Sequence, residues 1–262
     1  MNLVIGIALL LLGILAGGFG ALAGVGGGFL IVPTLILFFH LPVHEAIAVS
    51  LVAVIATSTA TSAVQVERGV TDVKLGFVLE LTTTIGAIIA SLLAAYMSKR
   101  VLATLFLCFL AFTIVSMLRR AWTSRAQKEV SAEVPPYEVR NYPAGLAAAL
   151  LAGALSGLLG IGGGLIKVPV MLLFMGVPTR VATATSNFMI GVTAATSAWI
   201  WYSRGLVNLA YAGPLVVGVM LGSRVGAQNA RRVKSQYIVL LLIAAATYLF
   251  IQMLLKIKSG QL

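Results

Sequence analysis

The decapeptide GVGGGFLIVP, residues 24–33, recurs as GIGGGLIKVP at residues 160–169. Each copy places several glycines, at residues 24–28 and 160–164, inside apolar sequence; we call these stretches the first and second glycine clusters. Glycine inside a helix costs about 1 kcal/mol relative to alanine. The duplicated clusters therefore predict two matched interruptions of helical structure.

The composition of the chain is that of a membrane protein. Hydrophobic residues make up 60% of its 262 residues and charged residues only 10%, whereas soluble domains are usually about one quarter charged. The formal net charge of +11 comes from short basic clusters between apolar segments, a pattern typical of membrane topology and not of nucleic-acid binding. Apolar segments near or above span length lie at roughly 2–22, 45–64, 75–97, 101–118, 143–159, 181–202, 206–227 and 235–255. We expect an all-α polytopic protein whose surroundings are the lipid bilayer.

The two halves of the chain resemble each other throughout. The offset between the clusters, 136 residues (160 − 24), also carries Pro42 onto Pro178 and Arg68 onto Arg204. This predicts two homologous repeats, residues 1–118 and 143–262, joined by a polar linker at 119–142. Long internal repeats are typical of secondary transporters, whose binding site lies near the midplane at the repeat interface.

Each repeat contains five hydrophobic segments, of which the second is short. Residues 29–41 and 165–177 follow the clusters, and about 13 helical residues reach about 20 Å, less than the ~30 Å hydrocarbon core. We predict broken or re-entrant helices in which the glycines form unwound backbone. Such backbone is tolerated at membrane depth only where protein buries it or where it lines a wet cavity.

The glycine clusters are candidate anion sites. Glycine allows close backbone approach, and the free N–H groups at the start of the next helix carry partial positive charge. The alternative is that the glycines only permit close helix packing. The candidate substrate-binding residues in the clusters are Gly26, Gly27, Gly28, Gly162, Gly163 and Gly164.

Polar side chains inside apolar segments add further candidates. The third segment of each repeat is rich in hydroxyls, and the favoured substrate-binding residues there are Ser50, Thr57, Ser186, Asn187 and Thr193. The alternative for hydroxyls is a bond to a carbonyl of their own helix. Lys167 is also a candidate ligand for an anion, because charge in hydrocarbon is costly and its repeat partner is Ile31. The alternative is that the Lys167 side chain extends along apolar surface and places its ammonium at the membrane interface.

The remaining charged residues suggest supporting roles. Arg68 and Arg204 follow their third segments in matched Arg-Gly turns and are predicted to be gate or interface residues. His44, Glu45 and Glu80 are candidate proton carriers. No metal site is predicted, because the only histidines, at 40 and 44, have no further Cys or His partner nearby in the sequence. Nucleotide-binding glycine motifs are absent, so no cofactor is predicted, and no catalytic constellation indicates an enzyme.

These features resemble the TauE/SafE family of sulfite and organosulfonate exporters. The resemblance depends on GVGGGFLIVP, GIGGGLIKVP, the following PVHEAIAVS and PTRVATATSN, and the Arg-Gly turns, and it covers essentially the whole chain. It implies a bacterial inner-membrane permease that moves small sulfur-containing anions such as sulfite or organosulfonates, usually outward. The function that we expect is therefore anion export by a secondary transporter. The alternative functions are an anion channel and a non-transporting membrane assembly subunit. The expected partners are the small anionic substrate and the lipid bilayer, with a homodimer as a further possibility.

Two topologies are compatible with the sequence. If five segments cross in each repeat, the repeats are inverted; if four cross, they are parallel. The inverted arrangement places about twice as many Lys and Arg residues on the linker side as on the other, so the positive-inside rule favours it, with the linker cytoplasmic.

Overall fold

The computed structural model describes residues 2–123, 136–229 and 235–259. These ranges fold into ten α-helices and contain no β-strand. The helices are α1 Leu3–Ala23, α2 Gly28–Phe38, α3 Val43–Glu67, α4 Val73–Ala94, α5 Lys99–Thr123, α6 Tyr142–Leu159, α7 Gly164–Leu173, α8 Thr179–Tyr202, α9 Leu209–Asn229 and α10 Ser235–Lys258. Half of the predicted linker, residues 124–135, lies outside the described residues; α5 continues to Thr123 and α6 begins at Tyr142.

Seven helices in the described part of the chain are long and apolar enough to cross a membrane: α1, α3, α4, α5, α6, α9 and α10. The sequence predicted eight segments of this kind. The eighth, over 181–202, forms α8, which is 24 residues long but is not among the seven spans. Its row of Thr, Ser and Asn side chains lowers its hydropathy, and protein rather than lipid surrounds much of it.

The short apolar segments form short helices, as predicted, but end earlier. Helix α2 has 11 residues and α7 has 10, which corresponds to about 15 Å each. Helix α2 stops at Phe38 because His40 has a left-handed backbone, with φ 55°, and Pro42 disfavours helical backbone at Leu41. After α7, Gly176 is left-handed, with φ 71°.

Helix starts in the two halves are evenly offset. Helices α2, α3 and α4 begin 136 residues before α7, α8 and α9 respectively. The tightest helix packing follows the same pattern, since α1 lies along α9 and α4 lies along α6. At both contacts, glycines bring backbone against backbone, as is typical of helices packed in lipid; Gly17 meets Val219, and Gly153 meets Thr83.

At both clusters, glycines with left-handed backbone lie where one helix ends and the next begins. Helix α1 is capped by Gly24, with φ 74°, whose N–H donates to Gly20 O at 3.0 Å, and α2 begins after Gly27, with φ 78°. The chain reverses there, because a Cβ on Gly27 would lie 2.5 Å from Ala16 O of α1. Only glycine adopts such backbone without steric cost. The predicted interruption is therefore a helical hairpin, and the second cluster repeats it between α6 and α7.

Helices α3 and α8 form the centre of the protein and run antiparallel. His44 at the start of α3 lies beside Trp201 near the end of α8, with ring centroids 5.8 Å apart. At the other end, Gln65 Oε1 accepts a hydrogen bond from Asn187 Nδ2 at 3.2 Å. The two glycine clusters pack against this central pair.

Candidate functional site

The two glycine clusters meet in the interior of the protein. Gly28 lies against the carbonyl of Gly160, and Gly164 lies against the carbonyl of Gly24, so closely that a Cβ at either position would overlap the facing oxygen. Residues 24–28 and 160–164 are all buried. Two clusters offset by 136 positions in the sequence thus lie together as two interlocked turns.

One serine from the opposite half of the chain binds each cluster. Ser50 Oγ of α3 donates to Gly160 O at 2.8 Å, and Ser186 Oγ of α8 donates to Gly24 O at 3.1 Å. Both side chains are fully buried. The sequence predicts these serines as candidate substrate ligands; in this conformation their hydroxyls donate to the clusters.

Val54 and Ile190 cover the point where the clusters meet. A Cβ on Gly26 would lie 3.2 Å from a methyl group of each, and a Cβ on Gly162 would lie 3.1 Å from Val54 and 2.8 Å from Ile190. Both side chains are fully buried. Neither residue stands out in the sequence, although the repeat offset relates the two. Their position on the central antiparallel helices depends on the fold.

A buried ion pair lies beside the second cluster. Lys167, in the first turn of α7, places its Nζ 3.3 Å from Glu80 Oε2 of α4 and 3.2 Å from Thr193 Oγ1 of α8. Thr193 in turn donates to Glu80 Oε1, and Thr84 lies 3.4 Å from the same oxygen. Lys167 is 3% exposed and Glu80 is 5% exposed. Three residues that the sequence identified separately, as anion ligands and a proton carrier, therefore form one cluster.

Thr57 and Asn187 lie on the central helices in different surroundings. Thr57 donates to Ala53 O of its own helix at 3.1 Å, which is the alternative considered for such hydroxyls. Asn187 donates to Ala21 O of α1 at 3.3 Å as well as to Gln65. Its buried Oδ1 has no partner within the residues that the structure describes. Among the candidates on α8, Asn187 is the one with a buried side-chain atom that has no hydrogen-bond partner in the described part of the chain.

The two arginines bind the ends of helices in the opposite half. Arg68 Nη1 donates to Ala227 O in the last turn of α9 at 3.2 Å, and Arg204 Nη2 donates to Leu92 O in the last turn of α4 at 3.4 Å. The Arg204 guanidinium also lies 5.5 Å from the centre of the Tyr96 ring. Cations at helix C-termini are favourable because the carbonyls there carry partial negative charge.

The other candidate proton carriers lie apart from Glu80. His44 Nε2 is 3.2 Å from Met97 O, and Glu45 is in the first turn of α3, where a carboxylate is favourable. Over the described ranges, no hydrogen bond or ion pair joins either of them to Glu80. The structure groups Glu80 with Lys167 instead.

A second polar cluster joins the segment before α6 to the start of α4. Asp72 caps α4 by accepting from Leu75 N at 2.9 Å and also accepts from Tyr137 Oη at 2.7 Å. Burial and the neighbouring Asp72 raise the pKa of Tyr137, so its phenol remains a hydrogen-bond donor at neutral pH. Asp72 and Tyr137 line an open cavity of about 330 Å³ at the surface. The cluster holds the chain after the linker against the first half.

Chemically, the buried centre is suited to binding a small anion. It combines an ammonium group, hydroxyls and two helix N-termini that have no side-chain cap. No group of three or more His, Cys, Asp or Glu side chains that could hold a metal occurs where the structure is described. Lys167 and the uncapped N-terminus of α7 both lie directly after the second glycine cluster.

Comparison with known proteins gives a consistent family match. The family model described as "Sulfite exporter TauE/SafE" matches residues 9–253. "Probable membrane transporter protein YunE" of Bacillus subtilis is 29% identical over 252 residues, which cover 90% of this chain and 92% of that protein. "Sulfite exporter TauE/SafE family protein 1" of Arabidopsis thaliana is 35% identical over 89 residues, 34% of this chain and 20% of its own length. No solved structure matches the chain.

Proposed function

The chain belongs to the sulfite exporter TauE/SafE family of membrane transporters, and from that premise we propose that it is a secondary transporter that exports small sulfur-containing anions, sulfite or organosulfonates, across the bacterial inner membrane. The single observation that carries the anion specificity is Lys167. A fully buried ammonium stands in the first turn of α7, directly after the second glycine cluster. The helix N-terminus and the ammonium both favour a bound anion.

The architecture supports a transport mechanism. We propose that the halves are inverted repeats and that the hairpins α1–α2 and α6–α7 are re-entrant, entering from opposite faces and meeting at the clusters. Three helices then cross in each half, α3 to α5 and α8 to α10, and this odd number, like five, gives inverted repeats. The even offset of the helix starts supports the repeat. The antiparallel course of the equivalent helices α3 and α8 supports the inversion, because repeats related by an axis along the membrane normal would place equivalent helices parallel.

The closed centre is the expected occluded conformation of such a transporter. Val54 and Ile190 cover the meeting point of the clusters, and Ser50 and Ser186 hold the clusters together. Access from one side requires the central helices to separate at one end. Alternating opening of inverted repeats around a fixed site then carries the anion across.

Flux measurements test the proposed activity. Purified protein in liposomes is expected to move ³⁵S-labelled sulfite or methanesulfonate with saturable kinetics, and unlabelled anion on the opposite side is expected to accelerate exchange. A channel would give flux without this acceleration. A non-transporting subunit would give the same flux as protein-free liposomes, and that result would contradict the proposal.

Cysteine labelling tests the inversion. Glu67 and Ser203 are exposed, repeat-matched residues at the ends of α3 and α8, so Glu67→Cys and Ser203→Cys introduce thiols at equivalent places. The native thiol, Cys108, is exposed and is first changed to alanine. Inverted repeats predict that a membrane-impermeant maleimide labels only one of the two in right-side-out vesicles and only the other in inverted vesicles. Labelling of both from the same side would indicate parallel repeats.

A further inference from the structure

The Lys167–Glu80 pair occupies only one of two equivalent positions in the fold. At the repeat-matched positions stand Ile31 in place of Lys167 and Val216 in place of Glu80. The third member, Thr193, is matched by Thr57, whose hydroxyl binds its own helix. The positions equivalent to Lys167 and Glu80 therefore carry no charge, and Ile31 is fully buried. The ion pair is not required for packing.

A gain in folding stability does not explain the presence of this ion pair either. Two charges taken out of water lose hydration, and replacing a buried ion pair by apolar residues is often neutral or stabilising. Ile31 and Val216 are such a replacement within the same molecule. A function that needs charge at the second cluster is the remaining reason for keeping Lys167 and Glu80.

The carboxylate of Glu80 binds Lys167 as an anionic substrate would. Like a sulfonate, it offers oxygens that accept from an ammonium and a hydroxyl, here Lys167 Nζ and Thr193 Oγ1. A second anion that entered while Glu80 was ionised would give this buried cluster a net charge of −1, which is strongly unfavourable. If Glu80 takes up a proton, Lys167 and a monovalent anion together are neutral.

We propose that Glu80 is an internal competitor of the transported anion, so that a sulfonate or sulfite binds Lys167 together with one proton on Glu80. This inference rests on the proposed function and deepens it. On binding, a proton from solvent joins the Glu80 carboxylate, and the anion replaces that carboxylate on the ammonium. On release, Glu80 gives up the proton and pairs again with Lys167, so the empty protein carries no uncompensated buried cation. Anion and proton move in the same direction, and a monovalent anion crosses without net charge.

Lys167 is the charged group positioned to act on Glu80. Helices α6, α7 and α8 pack around this part of α4, and their other titratable or charged side chains are Tyr142, Arg180 and Tyr202. Tyr142 lies about 16 Å along α6 from Gly153, which packs on Thr83 near Glu80. Arg180 and Tyr202 lie about 20 Å and about 13 Å along α8 from Thr193, and Lys74 lies about 9 Å along α4 from Glu80. The pH response of anion binding is therefore assigned to the Glu80–Lys167 pair.

Binding measurements across pH test the proposal. Methanesulfonate is the probe, because its sulfonate stays ionised from pH 5.5 to 8.5 and any pH dependence then belongs to the protein. In the wild-type protein, affinity is expected to fall by up to tenfold per pH unit once Glu80 is ionised, since one proton is linked to binding. Calorimetry in two buffers of different ionisation enthalpy is expected to report the uptake of up to one proton per anion over the same range.

Variants separate this proposal from a structural role of Glu80. Glu80→Gln is expected to bind methanesulfonate with a pH-independent affinity that equals the wild-type affinity at low pH. Glu67→Gln, the same chemical change at an exposed site, is expected to keep the wild-type pH profile. A purely structural Glu80 would instead give a variant that binds more weakly at every pH.

Failure of the inference and failure of the proposed function give different results. If the wild-type protein binds methanesulfonate with the same affinity at every pH and takes up no proton, the proposed role of Glu80 is wrong. The proposal of anion transport is then unaffected. If the wild-type protein binds neither methanesulfonate nor sulfite at any pH, both the proposed function and this inference are wrong. The proton-uptake measurement needs no variant, so the test does not depend on the folding of Glu80→Gln.

Discussion

Adding one methyl group where the glycine clusters meet is expected to reduce transport at least tenfold. In Gly164→Ala the new Cβ would overlap the carbonyl oxygen of Gly24, and in Gly28→Ala it would overlap that of Gly160. Both contacts are backbone, so no flexible side chain can move aside. The clusters must separate, which strains the hydrogen bonds from Ser50 and Ser186. Overpacking of this kind costs about 1–3 kcal/mol or more.

The measurements are flux in liposomes and the melting temperature followed by tryptophan fluorescence. We expect flux to fall at least tenfold in each variant, with a lower melting temperature. Gly213→Ala is the matched control, because a Cβ on this helical glycine of α9 has no neighbour within 4 Å, and alanine favours the helix by up to about 1 kcal/mol. Wild-type flux and stability in Gly164→Ala would show that the clusters do not meet as described.

Removal of the Lys167 ammonium is expected to lower anion affinity about ten- to hundredfold. The change is best made together with Glu80→Gln, because Lys167→Met alone leaves a buried carboxylate unpaired, which costs about 3–5 kcal/mol of stability. The ammonium contributes a charge-assisted hydrogen bond to a bound anion, an interaction worth roughly 1.5–3 kcal/mol. That free energy corresponds to the stated loss at about 1.4 kcal/mol per tenfold change in affinity.

The comparison that isolates the ammonium is Glu80→Gln against the double variant Glu80→Gln, Lys167→Met. Both lack the carboxylate, and they differ only in whether a cation is present. Methanesulfonate binding by calorimetry measures the difference, and thermal melting checks that both proteins are folded. Equal affinity in the two variants would mean that the helix N-termini and hydroxyls hold the anion without Lys167.

Local features of the chain were readable from the sequence. Helix interruption at the clusters follows from glycine itself, and the structure places left-handed backbone at Gly24, Gly27, Gly160 and Gly163. Hydropathy predicted the helices that could span a membrane because burial in lipid depends on each segment separately. Helix α8 forms over the eighth predicted segment but is not among the seven spans, because its polar side chains, many of them buried against other helices, lower its hydropathy.

Contacts between distant residues were decided by the tertiary structure alone. The sequence identified Lys167 and Glu80 as separate costly charges, but they lie 87 residues apart in different halves, and no local pattern records that α4, α7 and α8 bring them together. The same holds for Arg68 and Arg204, which were predicted to be gate or interface residues and bind the last turns of α9 and α4. Backbone conformation and hydropathy are properties of short segments, and the sequence determined both here. Pairing of charges and capping of helices depend on which segments the fold places side by side.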